Sequence, residues 1–183
     1  MTQALLIMDV QNGIVDRFGA PEAYLDRVVA AQQRAEQAGL LVVLVRVAFA
    51  PGHPEVSPRN KSFSALAGNP GMTLGERAVE PHERLLRGNG EVVVTKKRVS
   101  AFAGSDLELV LRAREVTHLV LGGIATSGVV LSTVRAAADR DYRLTVLEDL
   151  CLDGDAEVHR VLTGKVFPRQ ADVRSSPDWR PEP

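Results

Sequence analysis

Leu119 to Thr133 reads LVLGGIATSGVVLST, and no other stretch limits the possible folds as much. An apolar run closes on a glycine pair, a Thr-Ser-Gly turn follows, and a second apolar segment begins at once. That is the layout of a buried strand handing the chain to a helix N-terminus. In an open α/β sheet, ligands sit beyond the carboxyl ends of the strands, where the first amides of the next helix lack intrahelical partners. Such amides can receive an anion or a developing negative charge.

The rest of the chain repeats this alternation. Ala4 to Met8 is an apolar run ending in Asp9, as a central parallel strand would where it opens toward a site. Gln11-Asn12-Gly13 then turns the chain. Pro21 to Gly39 carries Leu25, Val28, Val29, Ala35 and Ala38 at helical spacing, with Pro at the start and Gly as the stop. Further strands are predicted at Leu40 to Val47, Glu91 to Thr95, His118 to Gly122 and Arg143 to Leu147, the last ending at Glu148-Asp149. Helices are predicted at Ser105 to Glu115, Ser127 to Asp141 and Asp155 to Lys165, and Val173 marks a short final strand.

Phe49 to Asn69, rich in Gly, Pro, Ser and Asn, is read as a functional loop or lid. Strands alternating with helices predict a parallel sheet covered on both faces, a doubly wound three-layer α/β/α fold. Residues 1–174 form the expected domain. Residues 175–183, heavy in Pro and charge, are expected to be a loosely held C-terminal tail.

At 183 residues, 45% hydrophobic and 25% charged, the chain can bury about 70% of its unfolded surface without a metal or a disulfide. A formal net charge of −1 with dispersed Lys and Arg gives no footprint for nucleic acid and no polybasic membrane patch. A small-molecule partner is expected instead. The single cysteine, Cys151, suits a reducing compartment. The N-terminus lacks a basic region before its short apolar run, and no segment approaches the roughly 20 apolar residues of a membrane span. The expected location is cytoplasmic.

Asp9, Lys96 and the Gly122 to Val129 turn converge at predicted strand ends. A carboxylate beside an ammonium in a partly dry cleft suits proton transfer, because each favours the other's charged form while burial opposes both. By spacing alone, a structural ion pair at the sheet rim is an equal reading. Three blocks together are more specific: Leu6-Ile7-Met8-Asp9-Val10-Gln11-Asn12-Gly13, Lys96-Lys97-Arg98-Val99-Ser100-Ala101-Phe102, and Gly123-Ile124-Ala125-Thr126-Ser127. In this order they resemble the signature blocks of the isochorismatase-like hydrolases, over nearly the whole chain.

The resemblance implies a six-stranded parallel sheet, a homo-oligomer (dimer or tetramer), and a site of aspartate, lysine and, in most members, a nucleophilic cysteine. Asp9 matches the aspartate. Lys96 matches the lysine by its distance from Ser100-Ala101-Phe102, and strand alternation points the adjacent Lys97 to the other face. The turn Ala125, Thr126, Ser127 and Gly128 matches the backbone of the oxyanion hole, with a cis peptide implied at Ala125-Thr126. The nucleophile's position falls on Val129, which has nothing to attack with. Isochorismatases proper carry glycine there, and their aspartate acts as an acid toward a vinyl ether; valine is larger.

The expected function is hydrolysis of a small amide, imide or vinyl ether through Asp9 and Lys96. The alternative is a catalytically inactive family member that binds or senses a small molecule. No cofactor and no metal is expected: relatives that hold zinc use paired histidines in the loop after the second strand, where this chain has only His53. His82, His118 and His159 stand without ligand spacing. Cys151 is read as a small filler near the sheet rim, Ser127 and Thr126 as helix caps, and Arg46 as either a carboxylate binder or a structural charge. Gly122-Gly123 lacks the dinucleotide-binding pattern.

Overall fold

The computed structural model describes residues 2–88 and 91–182. The apolar runs form strands β1 (Thr2–Met8), β2 (Leu41–Val47), β3 (Val92–Lys96), β4 (Val116–Ile124), β5 (Arg143–Leu152) and β6 (Asp172–Arg174). All pair in parallel, in the order β3-β2-β1-β4-β5-β6. The order reverses at β1, so the crevice between the carboxyl ends of β1 and β4 is where a ligand belongs in such a sheet.

Alternation along β1 divides the core. Ala4, Leu6 and Met8 face Leu107, Leu111, Val130, Val134 and Ala137, and Leu5 and Ile7 face Leu25, Val28, Ala31 and Ala35. Helices α1 (Asn12–Phe18) and α2 (Glu22–Gln37) therefore cover one face. After α3 (Lys61–Ser64) in the loop beyond β2, α4 (Leu107–Ala113) and α5 (Leu131–Ala138) cover the other, and α6 (Ala156–Val161) follows β5. Each large apolar side chain buried this way contributes about 1.5–3 kcal/mol.

Four differences from the sequence reading have local causes. The expected turn at Gln11-Asn12-Gly13 opens α1, which Gly19 closes in a left-handed conformation (φ 55°). Expected at Glu91 to Thr95, β3 spans Val92–Lys96, which makes Lys96 its last residue. Strand β5 does not stop at Glu148-Asp149. A register irregularity carries the pairing from Leu121↔Val146 to Gly123↔Cys151, so Cys151 lies within the strand. The described part of the tail, residues 175–182, is docked, not loose: Trp179 is 3% exposed, and Asp149 accepts hydrogen bonds from the Ser176 amide (2.6 Å) and hydroxyl (2.7 Å).

Among the described residues, no helix is long and apolar enough to cross a membrane.

Candidate functional site

Asp9 directly follows β1. Its amide still bonds to Val45 O (2.8 Å), but the backbone turns into the left-handed region (φ 57°). Lys96 pairs with Val47 across the sheet, so β2 lies between the two residues. Two strand spacings of about 4.8 Å are within reach of a lysine stem meeting a carboxylate. Lys96 Nζ lies 2.9 Å from Asp9 Oδ2 and donates to Arg98 O at 3.0 Å.

The pair is dry: Asp9 is 6% exposed and Lys96 2%. Asp9 Oδ1 is buried without a hydrogen-bond partner. Burial pushes the Asp9 carboxyl above the usual carboxylate range, and the charge and hydrogen bond of Lys96 offset this only in part.

Residues beside the pair are committed to structure. Lys97 turns away, donating to Ala48 O (2.7 Å) and lying 3.2 Å from Glu55. Arg46 bonds Thr95 Oγ1 (3.0 Å) and pairs with Glu80, so of its two readings the structural charge describes it. Gln11, which carried no chemical signal in the sequence, braces the end of β2. Its Nε2 donates to Val47 O (3.0 Å) and Val79 O (2.8 Å), and its Oε1 accepts from the Val47 amide (2.8 Å).

Met8 pairs with Gly123, which brings the end of β4 beside Asp9. A Cβ on Gly123 would lie 2.2 Å from Met8 O, so only glycine permits this approach. The cis peptide is Ile124-Ala125, one bond before the expected Ala125-Thr126. The ladder ends at Ile124↔Leu152, and the chain leaves the sheet at the next bond. A wide i→i+5 turn, Thr126–Val130, leads into α5.

Two of the four residues expected to offer amides to a ligand have theirs occupied. Ser127 donates to Asp153 Oδ2 (2.7 Å) and Gly128 to Ala125 O (3.1 Å). The Ala125 amide meets no acceptor among the described residues. Thr126 is fully buried, its hydroxyl 2.9 Å from His159 Nδ1. Asp153 and His159 lie 26 and 33 residues further along, which no local sequence signal could announce. Burial alone would raise Asp153, but the amides of Ser127, Asp155 and Gly154 outweigh it and hold the carboxyl low.

Val129 is buried in one core cluster with Met8 and Cys151. Cys151 is the chain's single cysteine. Its thiol donates to Leu147 O (3.3 Å), and burial pushes it up to about 12, the pKa of an inert group. His53 Nε2 meets Thr73 Oγ1 (3.0 Å), His118 Nε2 meets Thr145 Oγ1 (2.9 Å), and His82 Nδ1 accepts from the Arg84 amide (3.3 Å). Among the described residues, no three His, Cys, Asp or Glu side chains gather as a metal site. A cleft of about 440 Å³ opens at the opposite end of the sheet, between Thr2, Gln32, Leu41, Val92 and Arg114, away from Asp9.

Comparison with known proteins agrees with this fold. The Isochorismatase domain profile matches residues 3–178. The uncharacterized isochorismatase family protein YecD of Escherichia coli O157:H7 is 34% identical over 180 residues, covering 95% of this chain and 92% of that protein. The ureidoacrylate amidohydrolase RutB of Variovorax paradoxus (strain S110) is 35% identical over 172 residues, covering 80% of this chain and 67% of its own. A solved isochorismatase family protein from Burkholderia thailandensis superimposes with a TM-score of 0.81 at 26% identity, covering 97% and 93% of the two chains. A cysteine hydrolase from Pseudomonas syringae pv. phaseolicola 1448A shares the fold, with a TM-score of 0.87 at 21% identity over 96% and 89%. A six-stranded parallel sheet, the three blocks in order and a profile match across almost the whole chain lead to one assignment: this protein belongs to the isochorismatase family.

Proposed function

We propose that the chain hydrolyses a small amide, imide or vinyl ether with Asp9 and Lys96, and that Val129 stands where most relatives carry a nucleophilic cysteine. The observation that carries this reading is the buried pair itself, with Asp9 Oδ1 unpartnered and its carboxyl raised toward protonation. Structural ion pairs satisfy both carboxylate oxygens where they can; an orphaned buried acceptor leaves room for a further partner, which a ligand or an ordered water would supply.

Protonated on Oδ1, Asp9 is a general acid. For a vinyl ether it gives its proton to the terminal vinyl carbon. Water then adds to the oxocarbenium carbon and returns a proton to Asp9, and the hemiketal splits into a carbonyl compound and an alcohol. For an amide or imide, ionised Asp9 takes a proton from the attacking water, Lys96 and the Ala125 amide face the developing oxyanion, and the proton passes to the leaving nitrogen. Neither route uses sulfur, in keeping with the buried, inert Cys151. With the pair so little exposed, a ligand reaches it only when neighbouring segments move.

A second reading is a family member that binds its ligand without turnover. It is favoured by Val129 packed into the core and by the occupied amides of Ser127 and Gly128. Turnover across an amide, imide and vinyl-ether panel separates the two. The hydrolase reading expects activity that disappears in Asp9→Asn. The binding reading expects no turnover and ligand affinity that survives that substitution. The homo-oligomer implied by the resemblance is part of the proposal, and sedimentation would show a dimer or tetramer rather than a monomer.

A further inference from the structure

We propose that His159 is a positioning residue for the turn that carries Ala125 and Val129, holding it through the hydroxyl of Thr126; this rests on the hydrolase reading of that turn. Thr126 is fully buried, and a buried hydroxyl must be paired. The partner is His159 Nδ1 at 2.9 Å. The next residue is held from the same direction, because Ser127 N–H donates to Asp153 Oδ2 at 2.7 Å.

The connection from β5 into α6 thus grips two consecutive residues of the turn. That connection is itself braced. Asp153 Oδ1 accepts from the Asp155 amide (3.3 Å), and Asp155 Oδ1 caps α6 by accepting from the amides of Glu157 (2.8 Å) and Val158 (3.2 Å). The carbonyl of His159 accepts from Thr163 Oγ1 (2.9 Å).

This grip comes from the β5 side of β4, whereas Asp9 follows β1 and Lys96 ends β3 on the other side. Thr126 is fully buried, and its hydroxyl is paired with His159. His159 therefore acts through the turn: it fixes the entry into the wide turn that leads into α5 and hence the direction of the unpartnered Ala125 amide.

The experiment compares His159→Leu, His159→Asn and Thr126→Val. Asparagine places an amide close to where Nδ1 stands, and leucine cannot bond. Two quantities are read: hydrogen exchange of the Ala125 to Val129 amides, and kcat and KM for the panel compound that the wild type hydrolyses fastest. In His159→Leu, exchange in the turn accelerates while the amides of β1 and β2 keep their rates. Misplacing a reacting group by about 1 Å costs about a hundredfold, so kcat falls by that order with KM little changed. His159→Asn recovers most of both, and adding Thr126→Val to His159→Leu costs little more.

Unchanged exchange in His159→Leu, a loss confined to KM, or an asparagine variant no better than leucine would each overturn the proposal. A wild type that turns over no panel compound overturns the hydrolase reading instead. The exchange pattern then decides alone whether His159 holds the turn.

Discussion

Lys96→Met keeps an unbranched stem of similar length and removes the ammonium that faces Asp9 at 2.9 Å. The carboxylate would then be buried with neither oxygen paired to a cation, so it must take up a proton to stay folded. Holding an ordinary aspartic acid protonated at pH 7, about three pH units above its reference pKa, costs about 4 kcal/mol; at pH 5 the cost is about 1.5 kcal/mol. These are upper bounds on the loss, because burial already raises Asp9 in the wild type and because the substitution also spares the burial of a lysine charge.

The sign follows from the direction. A carboxyl raised in the folded state contributes most stability below its unfolded pKa and loses it as pH rises through the folded value. Urea unfolding read by the single tryptophan, Trp179, would therefore show a destabilisation of about 2–4 kcal/mol at pH 7 that shrinks below about 1.5 kcal/mol at pH 5. Asp9→Asn in the same background should restore much of the loss at pH 7. A loss that does not depend on pH, or one under about 0.5 kcal/mol at pH 7, would refute the description of this pair as dry and mutually dependent.

Two further outcomes follow from packing. Cys151, buried and pushed up to about 12, should resist a chromogenic disulfide reagent in the native protein and react fully once urea unfolds the chain; rapid native reaction would mean the thiol is reachable. Gly123→Ala would set a Cβ 2.2 Å from Met8 O, and neither partner is a flexible side-chain end, so a loss above about 4 kcal/mol or failure to fold is expected; a near-normal urea midpoint would show that β1 and β4 can separate there.

The sheet was legible because burial on both faces leaves continuous apolar runs, as in Ala4 to Met8 and Leu119 to Leu121, and because Pro21 and Gly39 bracket α2 with ordinary start and stop chemistry. Asp9 and Lys96 were legible as strand-end charges, and the structure brings them together. Helix α1 was hidden because Gln11-Asn12-Gly13 carries turn residues and the whole helix is only seven residues long, too few for a period to show. The extension of β5 was hidden because Glu148 and Asp149 look like a strand end; Asp149 is instead consumed by Ser176 of a tail whose composition gave no hint of docking. The bonds from Asp153 and His159 to the turn span 26 and 33 residues, and only the fold determines such distant partners.

The central proposal is that chemistry at this site passes through Asp9 and not through sulfur. Its most direct test is turnover of the wild type, Cys151→Ser and Asp9→Asn, side by side on the same amide, imide and vinyl-ether panel. Cys151→Ser is expected to keep the wild-type rate and Asp9→Asn to lose it; a Cys151→Ser variant without activity, or an Asp9→Asn variant that keeps it, would contradict a sulfur-free reaction at Asp9.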